Sequence, residues 1–221
     1  MKILVLLVFL SLLPGAAAPS APEQPHAPES WIPETNAKES APSGKNVPGE
    51  ALRLFRQAGL NADPGIKIEL YTRAIEIYPR FAVAYVQRGI ALGKNGQIDR
   101  AVSDFDTAAR IAPETPLPYL NRAYARLLEG RFAEALKDYD RAAARAPDRA
   151  VVYNSRAYAR YLAGDLEAAL NDYNRAIELS PETNYFYHNR GVVLKELGDR
   201  EGALRDFQRA RRKRSAVSAD E

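Results

Sequence analysis

From residue 66 onward the residue types recur every 34 positions, and this period restricts the fold more than any other feature of the chain. Aromatic residues fall at Tyr71, Phe105, Tyr139, Tyr173 and Phe207. Alanines follow at Ala74, Ala108, Ala142, Ala176 and Ala210, with a second alanine column at Ala101, Ala135, Ala169 and Ala203. Glycines sit at Gly96, Gly130, Gly164 and Gly198, and prolines at Pro79, Pro113, Pro147 and Pro181. A further small column is Gly89, Ala123, Ala157 and Gly191. A repeat of this length marks stacked copies of one supersecondary unit, each burying its apolar face on the next.

Each column has a physical task. Glycine just past a helix end accepts the positive φ needed there. Proline cannot continue a helix and so marks the end of the second helix of each unit. Ala101, Phe105 and Ala108 lie at i, i+4 and i+7, which puts them on one helical stripe. A large ring between small residues lets a neighbouring helix approach closely. Each unit therefore reads as helix, glycine turn, helix, with a proline-marked turn to the next.

These columns resemble the tetratricopeptide repeat family. One unit reads Tyr85, Gly89, Ala101, Phe105, Ala108, Pro113; the next reads Tyr119, Ala123, Ala135, Tyr139, Ala142, Pro147. A third reads Tyr153, Ala157, Ala169, Tyr173, Ala176, Pro181, and the last reads Tyr187, Gly191, Ala203, Phe207, Ala210, with Ser215 in the proline place. The resemblance implies an all-α fold, a right-handed superhelical solenoid of antiparallel helix hairpins. The expected organisation is a degenerate repeat over 48–81, repeats over 82–115, 116–149, 150–183 and 184–217, and a tail over 218–221. The degenerate unit keeps Tyr71, Ala74 and Pro79 but has Ala51 and Lys67 where later units carry tyrosine and alanine.

One regular departure from the commonest family pattern is charged. Arg88, Arg122, Arg156 and Arg190 precede the small residue, and Asp104, Asp138, Asp172 and Asp206 precede the aromatic. Both columns stand eight residues from the glycine turn on opposite sides, so a hairpin brings them to similar heights. Structural ion pairs are expected within each unit or with its neighbour; the alternative is an arginine ladder that grips an acidic ligand.

The amino terminus reads as a signal peptide over 1–17. Lys2 precedes an apolar run from Ile3 to Leu13 broken only by Ser11. Eleven helical residues span about 16 Å, half of a bilayer core, and small residues Gly15 and Ala17 fit a cleavage site. An uncleaved anchor is the alternative, and in either case the remainder is expected outside the cytoplasm, in the periplasm or secreted. Residues 18–47 form a proline-rich linker expected to be disordered, since prolines at 19, 22, 25, 28, 33, 42 and 48 prevent helix. Trp31-Ile32 is its one sizeable apolar pair, read as a chance hydrophobe in a tether or as a docking point for a partner or for the chain's own groove.

By resemblance, the first helices line a concave groove, and side chains not needed between hairpins are its candidate contacts. They are Val86 and Ile90, then Leu120, Tyr124 and Leu127, then Asn154, Tyr158 and Tyr161, and last Tyr185 and His188. Gly93 shares the first set, and Gln87, Asn121 and Asn189 stand beside the groove where they could bond a ligand backbone. Tyr124 and Tyr158 could equally pack between neighbouring first helices. Such a surface suits an apolar or amphipathic protein segment, with tyrosine giving broad contact and one polar tip. The lysines and asparagines of the family's carboxylate clamp are replaced here by mostly apolar residues.

Composition excludes much chemistry. The chain has no cysteine, which removes disulfides and thiolate metal sites, and only His26 and His188 as imidazoles. No HExxH, phosphate-binding loop or GxSxG pattern occurs, so no enzyme activity, cofactor or metal is expected. A net charge of +3 is too small to imply a nucleic-acid partner. Arg209, Arg211, Arg212, Lys213 and Arg214 make the last helix basic, which reads as a self-capping end or as an adhesive for an anionic surface. The expected function is a protein–protein interaction scaffold of the envelope; the alternative is an assembly element acting by self-association or through its basic end.

Overall fold

The computed structural model describes residues 24–27, 31 and 47–211; the expected signal peptide and residues 212–221 lie outside them. Among the described residues all regular structure is helical. The helices are α1 (Gly49–Leu60), α2 (Pro64–Ile77), α3 (Ala82–Lys94), α4 (Ile98–Ile111), α5 (Pro116–Leu128), α6 (Phe132–Arg145), α7 (Ala150–Leu162), α8 (Leu166–Leu179), α9 (Asn184–Glu196) and α10 (Arg200–Arg211). They pair as α1–α2, α3–α4, α5–α6, α7–α8 and α9–α10, and each pair packs on the next. The fold is the helical-hairpin solenoid that the repeat implied.

The glycine column builds four identical turns. Gly96, Gly130, Gly164 and Gly198 have φ of +75°, +72°, +83° and +90°. In each, the glycine N–H bonds back three residues and the next N–H bonds back five, as in Gly96 to Gly93 and Gln97 to Leu92. That pair of bonds satisfies carbonyls left open at the end of α3, α5, α7 and α9. The degenerate unit turns differently: Asp63 caps α2 by accepting from the Ile66 N–H at 2.9 Å, with Pro64 at its first position.

Apolar burial is distributed along the stack rather than collected at one centre. Ala101, Phe105, Ala108, Ala135, Tyr139 and Ala142 are fully or almost fully buried in a central cluster with α3 and α5. Phe55, Tyr71 and Phe81 close the amino-terminal end, with Phe55 and Phe81 rings 5.0 Å apart. Tyr173 with Ala157 and Val193, and Phe186 with Ala176, form separate clusters toward the other end. A stack whose units touch only their neighbours has this distribution.

Candidate binding groove

The charged columns meet first. Arg88 grips Asp104 through Nε and Nη2 at 2.8 and 2.7 Å. The same two-pronged contact joins Arg122 to Asp138, Arg156 to Asp172 and Arg190 to Asp206, between 2.5 and 2.8 Å. The remaining nitrogen, Nη1, reaches back to the preceding hairpin: Arg88 to Thr72, Arg122 to Asp106, Arg156 to Asp140 and Arg190 to Asn174. Each arginine thus ties three helices. Burial alone would lower the Arg122 pKa, but the Asp138 and then the Asp106 contacts more than offset this and raise it. The column of Thr72, Asp106, Asp140 and Asn174 also has the 34-residue spacing, a signal that inspection of the arginines alone missed.

A second network occupies the tyrosines of the first helices. Tyr119, Tyr153 and Tyr187 donate their hydroxyls to the carbonyls of Pro113, Pro147 and Pro181 at 3.1, 3.1 and 2.9 Å. The conserved-spacing arginine lies over each ring, from Arg122 over Tyr119 at 5.5 Å to Arg190 over Tyr187 at 5.7 Å. At the basic end Arg209 lies over Tyr187 and 3.6 Å from Glu182, so it belongs to this network as well.

The other face of the first helices holds part of the proline-rich segment. Trp31 is only 4% exposed. Its indole lies 5.1 Å edge-on from Tyr124 and 5.9 Å from Phe105, in one cluster with Val86, Ile90, Leu120 and Leu127, with Tyr158 packed against it. Gly93 makes the slot: a Cβ there would stand 2.1 Å from the indole. At the far end the His26 N–H donates to Asn189 Oδ1 at 2.7 Å, and Asn189 Nδ2 returns a bond to the His26 carbonyl at 3.2 Å. Asn189 Nδ2 also reaches Asn154 Oδ1 at 3.0 Å. The His26 ring lies 4.2 Å from that of His188, whose Nε2 is 3.4 Å from the Gln24 carbonyl. Pro25 is buried.

Within the expected disordered linker, the described residues Gln24–Ala27 and Trp31 lie against the array. An indole buried in a glycine slot and backbone bonds to a buried asparagine hold what proline content alone would leave extended and free. The two anchors also lie close: His26 and Trp31 are five residues apart and reach at most about 18 Å. Gln24–Ala27 meet α9 and Trp31 meets α3 and α5, counter to the order of the hairpins.

Other candidate contacts lie on the same first helices. Asn121 is fully buried and donates to the Leu117 carbonyl at 3.1 Å, while Gln87 is half-buried. Tyr161 donates to Glu196 at 2.6 Å, and burial together with that bond pushes its phenol up to about 12. Tyr185 packs edge-on against Phe186 at 4.5 Å. It also lines a cavity of about 430 Å3 with His26, His188 and Phe207. Asn154 Nδ2, wholly buried, has no partner among the described residues.

A stack of hairpins with one apolar, polar-tipped inner face and a chain segment lying in it defines a helical-repeat binding protein. Residues 86–150 match the family model for the tetratricopeptide repeat, and residues 157–198 match a second model, the TPR repeat. Over these residues the chain carries tetratricopeptide repeats. No curated protein sequence matches it. MamA (41-end) from Desulfovibrio magneticus RS-1 superposes with a TM-score of 0.69 at 20% identity, covering 80% of this chain and 100% of that one. YrrB, described as a TPR protein with an unusual peptide-binding site, gives 0.60 at 20% identity over 73% of this chain and 84% of its own. The first TPR of Spaghetti (RPAP3), bound to the HSP90 peptide SRMEEVD, gives 0.52 at 27% identity over 53% of this chain and 93% of its own.

Proposed function

We propose that this protein is an interaction scaffold that holds an extended segment of a partner protein in the inner face of its repeat array. The observation that carries this reading is the contact between Asn189 and His26, in which one side chain bonds both backbone groups of a residue outside the helices. Such a grip reads a backbone rather than a side chain, as a peptide site does. The apolar wall of Val86, Ile90, Tyr124 and Leu127 supplies the complementary burial. Similarity to YrrB and to the RPAP3 repeat, both described with peptides, agrees with this use of the fold. The arginine columns already hold carboxylates of their own chain, which supports a structural role for the ladder over that of an acidic-ligand grip.

Export is part of the proposal and rests on the amino-terminal sequence, with its apolar run and small residues ahead of the proline-rich segment. Among the described residues no helix is long and apolar enough to cross a membrane. The test is capture of binding proteins from envelope extract by the wild-type chain and by Tyr124→Ala/Tyr158→Ala. Loss of specific proteins from the variant supports the groove; an identical captured set overturns it.

A further inference from the structure

The segment in the groove is more than a covering. It meets two dissimilar sites at a fixed separation. At one, Asn189 takes both backbone groups of His26, a residue that follows a buried proline. Proline suits that buried position because it has no N–H to leave unsatisfied. At the other, the indole of Trp31 fills a slot that exists only because residue 93 is glycine, walled by Tyr124 and Phe105. The amide grip is indifferent to side-chain identity, whereas the slot is shaped for a flat aromatic ring. Together they form a two-point reader with a spacing of five residues.

We propose that Gln24–Ala27 and Trp31 are an internal stand-in for the groove's ligand: the partner is an extended segment with a proline, a gripped residue after it and a tryptophan five residues further on, and it binds only where the chain's own copy has left. This deepens the scaffold reading above and rests on it. Occupation in cis has a quantitative consequence. A partner's apparent affinity is reduced by the fraction of molecules whose groove is open. Covalent attachment holds the internal copy at high effective concentration, because a short linker joins Trp31 to α1. The reader is therefore selective by competition: only a segment that matches both anchors displaces the resident one.

Trp31 is the sole tryptophan of the chain, so its fluorescence reports the slot directly. In the full-length protein its emission is expected to be blue-shifted and shielded from acrylamide. Gly93→Leu should expose it while helical circular dichroism is retained. The trans probe is a dye-labelled synthetic peptide of residues 22–33. It is expected to bind full-length Trp31→Ala at least about tenfold more tightly than wild type, the factor for a groove open in a tenth of molecules. Adding Asn189→Ala or Gly93→Leu to Trp31→Ala should weaken that binding about tenfold or more, consistent with loss of one anchor. Trp31 lies outside the helices, and unchanged helical circular dichroism of Trp31→Ala checks that the array is intact.

A solvent-exposed tryptophan in wild type, or equal peptide affinity for wild type and Trp31→Ala, overturns the proposal. So does a dimer that becomes monomeric on Trp31→Ala, because the segment would then sit in a second copy. The scaffold reading fails separately. If Trp31 is exposed but Tyr124→Ala/Tyr158→Ala still loses captured proteins, the groove stands without its internal ligand. If Trp31 is buried and the peptide competes but capture is unchanged, the groove serves only its own segment.

Discussion

Asp138 is fully buried and accepts four hydrogen bonds from three arginines: two from Arg122 and one each from Arg126 and Arg141. Removing a buried carboxylate leaves its cations unpaired, which costs about 3–5 kcal/mol. Asp138→Ala is therefore expected to lower unfolding free energy by that amount in a denaturant titration. A double-mutant cycle with Arg122→Ala should give a coupling of at least about 1 kcal/mol, since both partners are desolvated and the contact is two-pronged. Zero coupling would remove the structural explanation of the columns. The exposed Arg53–Glu50 pair offers a control in which no comparable effect is expected. Gly89 gives a second residue-scale case. A Cβ there would stand 2.6 Å from the Phe105 ring. Alanine gains about 1 kcal/mol in helix propensity, but overpacking a buried contact costs about 1–3 kcal/mol. Gly89→Ala should therefore destabilise, and a raised melting temperature would refute the fit. The sequence holds a trace of this constraint: the small residue is glycine where the facing ring is phenylalanine (Gly89 with Phe105, Gly191 with Phe207) and alanine where it is tyrosine. The arginine–carboxylate columns were legible because every repeat carries them. The bridge to Thr72, Asp106, Asp140 and Asn174 was harder to read, because its four members share a position but not a residue type.

Among the elements, hairpins were the most legible feature, because glycine and proline act locally and mark helix ends regardless of the rest of the fold. The turn between α1 and α2 shows where this stops. It has no positive-φ glycine, and Asn61 is extended with Asp63 capping the next helix. A left-handed residue with a Cβ costs about 1–2 kcal/mol, so Gly130→Ala should lose that much stability by thermal unfolding. Because nothing lies within 4 Å of a Cβ at Gly130, the loss would be conformational rather than steric. The second helices also set a pH limit. Burial pushes the Tyr71 phenol up to about 12 and raises those of Tyr139 and Tyr173 further, with nearby phenols adding to the last two. These folded values exceed the unfolded value of about 10, so the native state binds the protons more tightly. Stability from these groups is complete below about pH 10 and falls as pH rises through 12 and beyond. An alkaline titration followed by phenolate absorbance should show these tyrosines ionising together with loss of helix; early ionisation with helix retained would contradict their burial.

At the scale of the whole molecule, a solenoid couples only neighbouring units, and the amino-terminal segment is the exception. It touches α9 through Asn189 and His188, and α3 and α5 through Gly93 and Tyr124, so it links hairpins that are not adjacent. Periodicity could not reveal this contact, because the segment lies outside the repeat and its slot is defined by the absence of a side chain at Gly93. Only the isolation of one large ring in a proline-rich stretch hinted at it, and that hint also fitted a free tether. Among the described residues its hold consists of one buried indole and a few hydrogen bonds, whereas each hairpin has full helical ladders and an aromatic core. The segment should therefore open at a lower free energy than the array, as weakly anchored segments do. In a denaturant titration the tryptophan emission midpoint is expected below the circular dichroism midpoint, and the early emission transition should vanish when the groove is saturated from outside, because Trp31 is then already displaced before unfolding begins. Coincident transitions in the free protein would mean that the segment is an integral part of the array's stability, and that a partner could enter the groove only by unfolding the hairpins it spans.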